Sequence, residues 1–254
     1  MSTMSRVTIQ EKCELPSRGK FPGIPPEITL RAMSLLDEKQ RLASTGISGI
    51  VDLVGNCIVK PEGLDPYQMP MFDIDWAMLK LRIVSHGPLY KANVVCPKCG
   101  HTMDKTINLD DIPMIPVEED FVSEFEIGPL PISGDTLKVR LLTYKDLMDM
   151  QSESQRILSK FPEYKGDPLD VLDYIYKIVE VNGEKKPPTF MKPYVESMSA
   201  ADSIYFDQAY SDKISTYGPD TQLTFQCDKC NETFIRSMPM NAEFFRPRYN
   251  ATKR

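Results

Sequence analysis

Four cysteines stand in two closely spaced pairs, and this residue type at this spacing is typical of a metal site. Cys96 and Cys99 form the first pair, and Cys227 and Cys230 form the second. Thiolates are preferred ligands of zinc in closed tetrahedral sites, and two residues between paired cysteines let both sulfurs bind one ion. The pattern therefore predicts one structural zinc ion held by all four cysteines. Iron or an iron–sulfur cluster uses the same ligands and stays open as an alternative.

The two cysteine turns also match each other outside the cysteines. Gly100 and Asn231 each follow the second cysteine of their pair. These residue types best tolerate the positive φ that a metal-binding turn needs at that point. Strand-like runs flank both turns, as expected at the tips of two hairpins. Lys98 and Lys229 occupy equivalent places in the turns, where they can offset part of the negative charge of four thiolates around a divalent ion.

The long separation between the pairs predicts what the metal does. Between Cys99 and Cys227 lie 127 residues, whereas small zinc ribbons close a loop of about 15–20 residues. A metal bound by both pairs fixes two distant segments beside each other and removes loop-closure entropy. Four protein ligands leave no open coordination position, so we expect a structural clasp and not a catalyst.

The sequence holds no other residue pattern that is typical of catalysis. It lacks a phosphate-binding glycine loop, a G-x-S-x-G motif and an HExxH motif. The remaining cysteines, Cys13 and Cys57, have no partner at a metal-binding spacing. We therefore expect a protein that is not an enzyme and has no small-molecule substrate. A CxxC redox protein is an alternative, but a thioredoxin-type motif needs one pair that opens a helix, and here two pairs stand between strands.

Charge and composition argue against several classes of function. The chain of 254 residues has a formal net charge of -6 and the hydrophobic share, 41%, of an ordinary globular protein. A general nucleic-acid-binding protein would carry a basic surplus, so a zinc-ribbon nucleic-acid-associated factor is an alternative only. No apolar run reaches the ~18 residues of a membrane span, and we do not expect the polar first residues to act as a signal peptide. We expect a reducing cytosol, where C-x-x-C pairs bind metal and do not form disulfides.

Hydrophobic periodicity predicts an α+β fold of mixed helices and short antiparallel strands around a discontinuous, zinc-ribbon-like four-cysteine site. The strongest helix spans 73–86, where apolar residues occupy almost every face, so we expect it to be buried. Ser34 and Asp37 predict the start of another helix. The other predicted helices are 34–46, 47–57, 144–158, 168–181 and 199–214, and the predicted strands are 28–33, 89–95, 101–109, 121–127, 137–142, 221–226 and 233–237.

The same pattern divides the chain into four segments. Residues 1–27 are rich in proline and glycine and predict an extended N-terminal arm, laid across a partner or across the protein's own surface. Residues 28–110 hold the helical and first-knuckle part of the core. Residues 111–214 form an inserted, mostly helical α+β segment. Residues 215–254 hold the second knuckle, which completes the core, and a basic C-terminal tail.

Several segments occur in an order that is more specific than any of them alone. They are the strand Ile28–Met33 with the helix start Ser34–Glu38, the buried stretch Met78–Ile83, the segment Ser85-His86-Gly87-Pro88-Leu89-Tyr90-Lys91, the first knuckle Val94–Gly100 and the strand Leu137–Thr143. In this order the chain resembles the T4-type baseplate protein family of contractile-tailed bacteriophages, whose members are baseplate hub components. The resemblance covers roughly residues 28–145 and the second knuckle, and it does not extend to the helices from about 146 to 214.

The resemblance implies a structural or assembly component of a phage tail baseplate hub. Such a protein binds other hub and tail tube proteins in a hetero-oligomeric assembly. It resides in the tail baseplate of the virion and, during assembly, in the host cytoplasm. The composition adds that we expect no membrane partner, and the acidic balance argues against nucleic acid. A proline-rich arm that bridges subunits and a metal that stiffens a small core both agree with this function.

Overall fold

The computed structural model describes residues 9–43, 48–214, 217–238 and 242–245, and it confirms the predicted α+β class. The helices are α1 (Leu35–Ala43), α2 (Ser48–Cys57), α3 (Met71–His86), α4 (Tyr144–Lys160), α5 (Pro168–Lys177), α6 (Pro188–Glu196) and α7 (Ala200–Ile214). The strands are β1 (Gln10–Glu14), β2 (Glu27–Arg31), β3 (Ile58–Lys60), β4 (Leu89–Val95), β5 (Thr102–Asn108), β6 (Met114–Ile115), β7 (Glu124–Ile127), β8 (Leu137–Arg140), β9 (Ile178–Val181), β10 (Gly218–Pro219), β11 (Gln222–Gln226) and β12 (Thr233–Ser237). The predicted end of the helix 34–46 and the basic tail from residue 246 lie outside the described residues.

Helix α3 lies in the main hydrophobic core and is buried on almost every side, as its sequence predicts. Leu79 and Leu81 are fully buried, and the helix contacts β1, β2, α2 and β10. It begins after Pro70 and ends at Gly87, which has a φ of 80° and donates its N–H to the carbonyl of Ile83. Full burial of each leucine stabilises the fold by about 1.5–3 kcal/mol.

The N-terminal segment joins the body of the protein through a three-stranded antiparallel sheet in the order β1–β2–β3. β1 pairs with β2 along its whole length, and Leu15 then enters the main core, where it is fully buried. The backbone N–H of Ser17 donates to the Asp73 carboxylate of α3 at 2.9 Å. For residues 9–26, the predicted arm therefore lies on the protein's own body.

A second three-stranded antiparallel sheet, β7–β8–β9, lies in the segment that also holds α4 to α7. Helix α4 begins with a capping box, in which the side chains of Thr143 and Asp146 each accept the other residue's N–H. Leu137 and Val139 of β8 are buried in the same core as Leu79 of α3. The sheet and α3 thus share one hydrophobic core, while the division into four segments stays a prediction.

The predicted helix 168–181 is too long, and one helix is absent from the prediction. Helix α5 ends at Lys177, and the next four residues form β9 at the edge of the second sheet. This stretch is rich in β-branched residues, which favour a strand once β8 offers a hydrogen-bonding edge. Helix α6 begins with Pro188 and contains Pro193. Proline at the first turn suits a helix, but a second proline hides the helical pattern.

Candidate metal centre

The two predicted cysteine turns meet, and their four sulfur atoms form one cluster. All four Sγ atoms lie within 4.8 Å of one another. Cys96 Sγ lies 3.7 Å from Cys230 Sγ, and Cys99 Sγ lies 3.7 Å from Cys227 Sγ. Each of these contacts joins the first cysteine turn to the second, across 134 and 128 residues of sequence.

The spacing of the sulfur atoms fits a tetrahedral metal site. Four sulfurs at about 2.3 Å from a zinc ion lie about 3.8 Å apart along each edge of the tetrahedron. The two measured edges of 3.7 Å agree with this value. A disulfide would need sulfur atoms about 2.05 Å apart, and all four cysteines are free thiols. The residues present therefore fit one tetrahedral ion, and the cluster is compatible with a metal site.

Two hairpins position the cysteines, and each carries one cysteine turn at its tip. The first hairpin is β4–β5 and the second is β11–β12, both antiparallel. In both turns the same backbone hydrogen bond forms at 3.0 Å, from Gly100 to Cys96 and from Asn231 to Cys227. Gly100 has a φ of 69° and Asn231 a φ of 56°. The positive φ predicted at these two positions is confirmed.

A small apolar cluster packs around the sulfur atoms, and Phe225 contacts both this cluster and the main core. The buried members of the small cluster are Val94, Met103 and two of the cysteines, and Phe225 and Phe234 pack against them from the second hairpin. The N–H of Asp228 donates to Met103 Sδ at 3.3 Å. Few apolar side chains therefore hold the hairpins together, and packing alone gives this region little stability.

Two ion pairs cross between the hairpins beside the sulfur atoms. Lys98 Nζ lies 2.6 Å from Glu232 Oε2, and Lys105 Nζ lies 2.7 Å from Asp228 Oδ1. The hydrogen bond to Glu232 raises the pKa of Lys98, and the nearby cysteines raise it further. Lys98, which the sequence placed beside the thiolates, thus also forms an ion pair that the sequence did not reveal.

The surroundings of Cys227 in the cluster differ from those of the two thiols outside it. Burial disfavours the thiolate of Cys227, but backbone N–H groups of Cys230 and Lys229 donate to its sulfur and lower its pKa. Metal binds the thiolate form, so these donors favour binding. Against a backbone hydrogen bond from Glu232, burial and the neighbouring sulfurs raise the pKa of Cys230. Burial raises the pKa of Cys13 and of Cys57 to about 12. These two thiols lie in the main core, as expected for cysteines without a metal.

Sequence reasoning missed Met103 and Lys105, although one signal points to Met103. Along β5, Met103 is buried between the exposed residues Thr102 and Asp104, and strands alternate in this way when one face packs. A period of two on the predicted strand 101–109 therefore places Met103 on the inner face. Strand periodicity could not predict that both Met103 and Lys105 contact Asp228 on the second hairpin.

Four sulfur ligands would complete the coordination of a tetrahedral ion, which suits a structural metal and leaves no position for a substrate. Among the described residues, the four cysteines are the one group of cysteine, histidine or acidic side chains close enough together to hold an ion.

Within the part of the chain that the structure describes, no helix has both the length and the apolar character needed to cross a membrane.

A sequence model of the family described as T4 bacteriophage base plate protein matches residues 7–246. The match includes both cysteine turns and the helices from 146 to 214, which the resemblance in the sequence did not cover. No curated protein and no solved structure matches the chain.

Proposed function

We propose that this protein is a structural or assembly component of the baseplate hub. The chain belongs to the T4 bacteriophage base plate protein family, and the proposal starts from that membership. The family match covers almost the whole chain, so the resemblance found in the sequence is confirmed. Membership makes the protein a structural component of a phage tail baseplate that assembles with other tail proteins. A position in the hub, binding to hub and tail tube proteins, and assembly in the host cytoplasm are the finer parts of the proposal.

The proposal includes a zinc ion held by Cys96, Cys99, Cys227 and Cys230. The sulfur spacing and the matched turns support it. When bound, zinc supplies four strong bonds to sulfur and no redox chemistry. The chain's own residues do the rest, because the two hairpins aim the sulfurs and the backbone donors around Cys227 favour the thiolate. The metal would stiffen the region where the two ends of the long insert meet.

Helix α1 supports binding to a protein partner, because three of its leucines are exposed beside Lys39 and Gln40. Leu35, Leu36 and Leu42 are 73%, 63% and 49% exposed, whereas the charged residues Asp37 and Arg41 are buried. A surface helix ordinarily turns its apolar face to the core. We call these three leucines the α1 leucine surface. A group of exposed leucines on one helix is typical of a protein–protein interface.

A polar network holds α1 in this inverted orientation. Arg31 donates two hydrogen bonds to the Asp37 carboxylate, at 2.7 and 3.0 Å, and the N–H and hydroxyl of Ser34 donate to the same group. These bonds, those from Arg31 foremost, lower the pKa of Asp37 to about 2. Arg41 pairs with Glu38 at 2.7 Å. Because the buried charges are paired, the helix keeps its leucines outside, where a neighbour in the baseplate could cover them.

The hub position can be tested by following the protein through tail assembly. A tagged chain is expressed during infection with a phage that lacks it, and hub subassemblies, baseplates and finished tails are purified and analysed by mass spectrometry. We expect the chain to co-purify with hub subassemblies. Its recovery only with peripheral baseplate parts, or with none of these particles, would overturn the hub proposal.

The α1 leucine surface offers a variant for the same assay. Leu36→Glu should lower recovery in hub subassemblies by roughly tenfold or more, because an interface that must bury a carboxylate loses affinity. Leu158→Glu makes the same change at an exposed leucine of α4, outside the α1 leucine surface, and should assemble normally. Equal recovery of the two variants would show that the α1 leucine surface is not an interface.

A further inference from the structure

A cavity of about 440 Å³ lies where α3 meets the helices of the insert. Its volume falls within the range of about 300–1,000 Å³ that is usual for ligand pockets. The walls are mostly apolar and include Phe72, Leu141, Leu142, Leu147 and Tyr210. Because α3, α4, α5 and α7 all contribute to the walls, anything bound in the cavity contacts both the core helix and the insert.

Two carboxylates line these walls: Asp173 on α5 is paired with Lys177, and Asp75 on α3 is not. Asp75 Oδ1 accepts a hydrogen bond from the Tyr144 hydroxyl at 3.3 Å, which is long. No lysine, arginine or histidine of the described residues forms an ion pair with it. Burial without a cation raises the pKa of Asp75 to about 6. The charged form of this carboxylate therefore lacks a cation that would stabilise it.

The cavity holds one cation, Lys177, and that cation is engaged elsewhere. Its Nζ donates to the Asp173 carboxylate of the same helix and lies 4.3 Å from the centre of the Tyr210 ring. An amine held between a carboxylate and an aromatic face is already well stabilised. Lys177 thus leaves the negative charge of Asp75 unbalanced.

We propose that this cavity receives an arginine side chain from a neighbouring baseplate protein, with the guanidinium on Asp75 and the aliphatic stem on the apolar walls. The charge of Asp75 favours a cation. Because the walls around it are apolar, they favour a cation that is carried on an apolar stem. A guanidinium suits this position better than an amine, because its planar fork can bind both carboxylate oxygens and lie against an aromatic ring. The partner rests on the proposed hub function, whereas the preference for a guanidinium does not.

The site can be tested on the isolated full chain with n-butylguanidinium as a mimic of the arginine side chain. Met71 lines the cavity, so the ¹³C-methyl signal of Met71, assigned with Met71→Leu, reports binding by NMR. We expect a saturable shift with n-butylguanidinium and at least roughly tenfold weaker binding of n-butylurea, which has a similar shape and no charge. Asp75→Asn should weaken the binding of n-butylguanidinium by a similar factor and remove the difference in affinity between the two probes.

Two further variants control this measurement. Asp149→Asn changes an exposed carboxylate of α4 outside the cavity and should leave both probes unaffected. Ser211→Trp narrows the cavity at an exposed wall residue without changing Asp75, and it should weaken the binding of n-butylguanidinium. This variant serves as the test if Asp75→Asn fails to fold. Equal binding of the two probes, no change with Asp75→Asn in a folded chain, or no saturable shift overturns the site.

The partner is tested separately by recovery of the variants in hub subassemblies. Asp75→Asn should be recovered at least roughly tenfold less than Asp149→Asn. If Asp75→Asn loses n-butylguanidinium binding but is recovered normally in hub subassemblies, the cavity is a cation site and the proposed partner arginine is ruled out. If the unmodified chain is absent from hub subassemblies, the hub proposal fails, and the NMR result still decides the chemistry of the cavity.

Discussion

The cysteine cluster and the core around α3 both join distant parts of the chain, but they do so by different means. At the cluster, two hairpins are joined by four sulfurs, two ion pairs and a few apolar side chains. In the main core, segments meet by extensive apolar burial around Leu79 and Leu81. Arg82 adds a buried hydrogen bond of 3.0 Å to the Phe244 carbonyl, across 162 residues.

This difference shows which interaction each region depends on. The core buries enough apolar surface to persist without any ligand. The hairpins do not, and four thiols placed 3.7 Å apart in pairs, with no metal, gain little from one another. We therefore expect the hairpins to depend on the proposed metal and the core to depend on packing, so that each can be perturbed without the other.

The largest effect should come from Cys227→Ser. Loss of one ligand should release the metal. The hairpins should then lose several kcal/mol of local stability, because the free energy of structural zinc binding is also folding free energy. In hydrogen exchange, amides of β4, β5, β11 and β12 should exchange faster by roughly 100-fold or more, while those of α3 keep their protection. Cys13→Ala removes a buried thiol of the main core and should keep the metal. Unchanged exchange in the hairpins would contradict a metal-dependent cluster.

Leu79→Ala perturbs the other region. It should lower the free energy of unfolding by about 2–5 kcal/mol, because the side chain is fully buried and leaves a cavity. The metal content should stay the same. Denaturant unfolding and elemental analysis measure both, with the exposed Leu158→Ala expected to cost less than about 0.5 kcal/mol. Loss of metal in Leu79→Ala would show that the two regions are not separable.

A smaller effect, in the same core, depends on pH through Asp73. Burial raises the pKa of this carboxyl from 3.8 to about 7, although Ser17 hydrogen bonds oppose the rise. Between these values the folded chain keeps a proton that the unfolded chain has lost. This contribution to stability is complete below about pH 4 and is lost as pH rises through 7, by at most about 1.4 kcal/mol per pH unit.

Asp73→Asn stays neutral and should lack this dependence. Urea unfolding at pH 5 and pH 7 should therefore show a steeper loss of stability with rising pH for the unmodified chain than for Asp73→Asn. The exposed Asp120→Asn should behave as the unmodified chain does. Identical slopes for the unmodified chain and Asp73→Asn would contradict the raised pKa.

The smallest effect should come from Lys98→Ala beside the cysteines. The Lys98–Glu232 pair is mostly exposed to solvent, where water and salt screen the two charges, so such pairs contribute little to stability. The variant should keep its metal and the exchange protection of the hairpins. A loss as large as that in Cys227→Ser would mean that ion pairs, and not sulfur ligands, hold the hairpins together.

Local signals in the sequence predicted the parts of the fold that depend on local chemistry. The Ser34 and Asp37 pattern predicts a helix start, and their side-chain bonds form it. The residue types at Gly100 and Asn231 predict positive φ, which both have. The four cysteines predict one cluster, which the structure assembles. Each of these features is decided within a few residues or by an unusual residue type.

Features decided by distant neighbours could not be predicted. The β-branched run after Lys177 continues a helical pattern, and the edge of β8 makes it a strand. The inversion of α1 depends on Arg31, which holds Asp37 inward from another element. The cavity at Asp75 depends on four helices meeting. In each case the competing contact lies elsewhere in the chain, where periodicity carries no information.

The central claim is that the four cysteines hold one structural metal ion. Elemental analysis of the purified chain, combined with its absorption spectrum, tests it most directly. We predict about one zinc per chain, no absorption in the visible range, and loss of the zinc in Cys227→Ser but not in Cys13→Ala. A metal-free chain with four reactive thiols, or a brown protein that contains iron and sulfide, would contradict the claim of a structural zinc site.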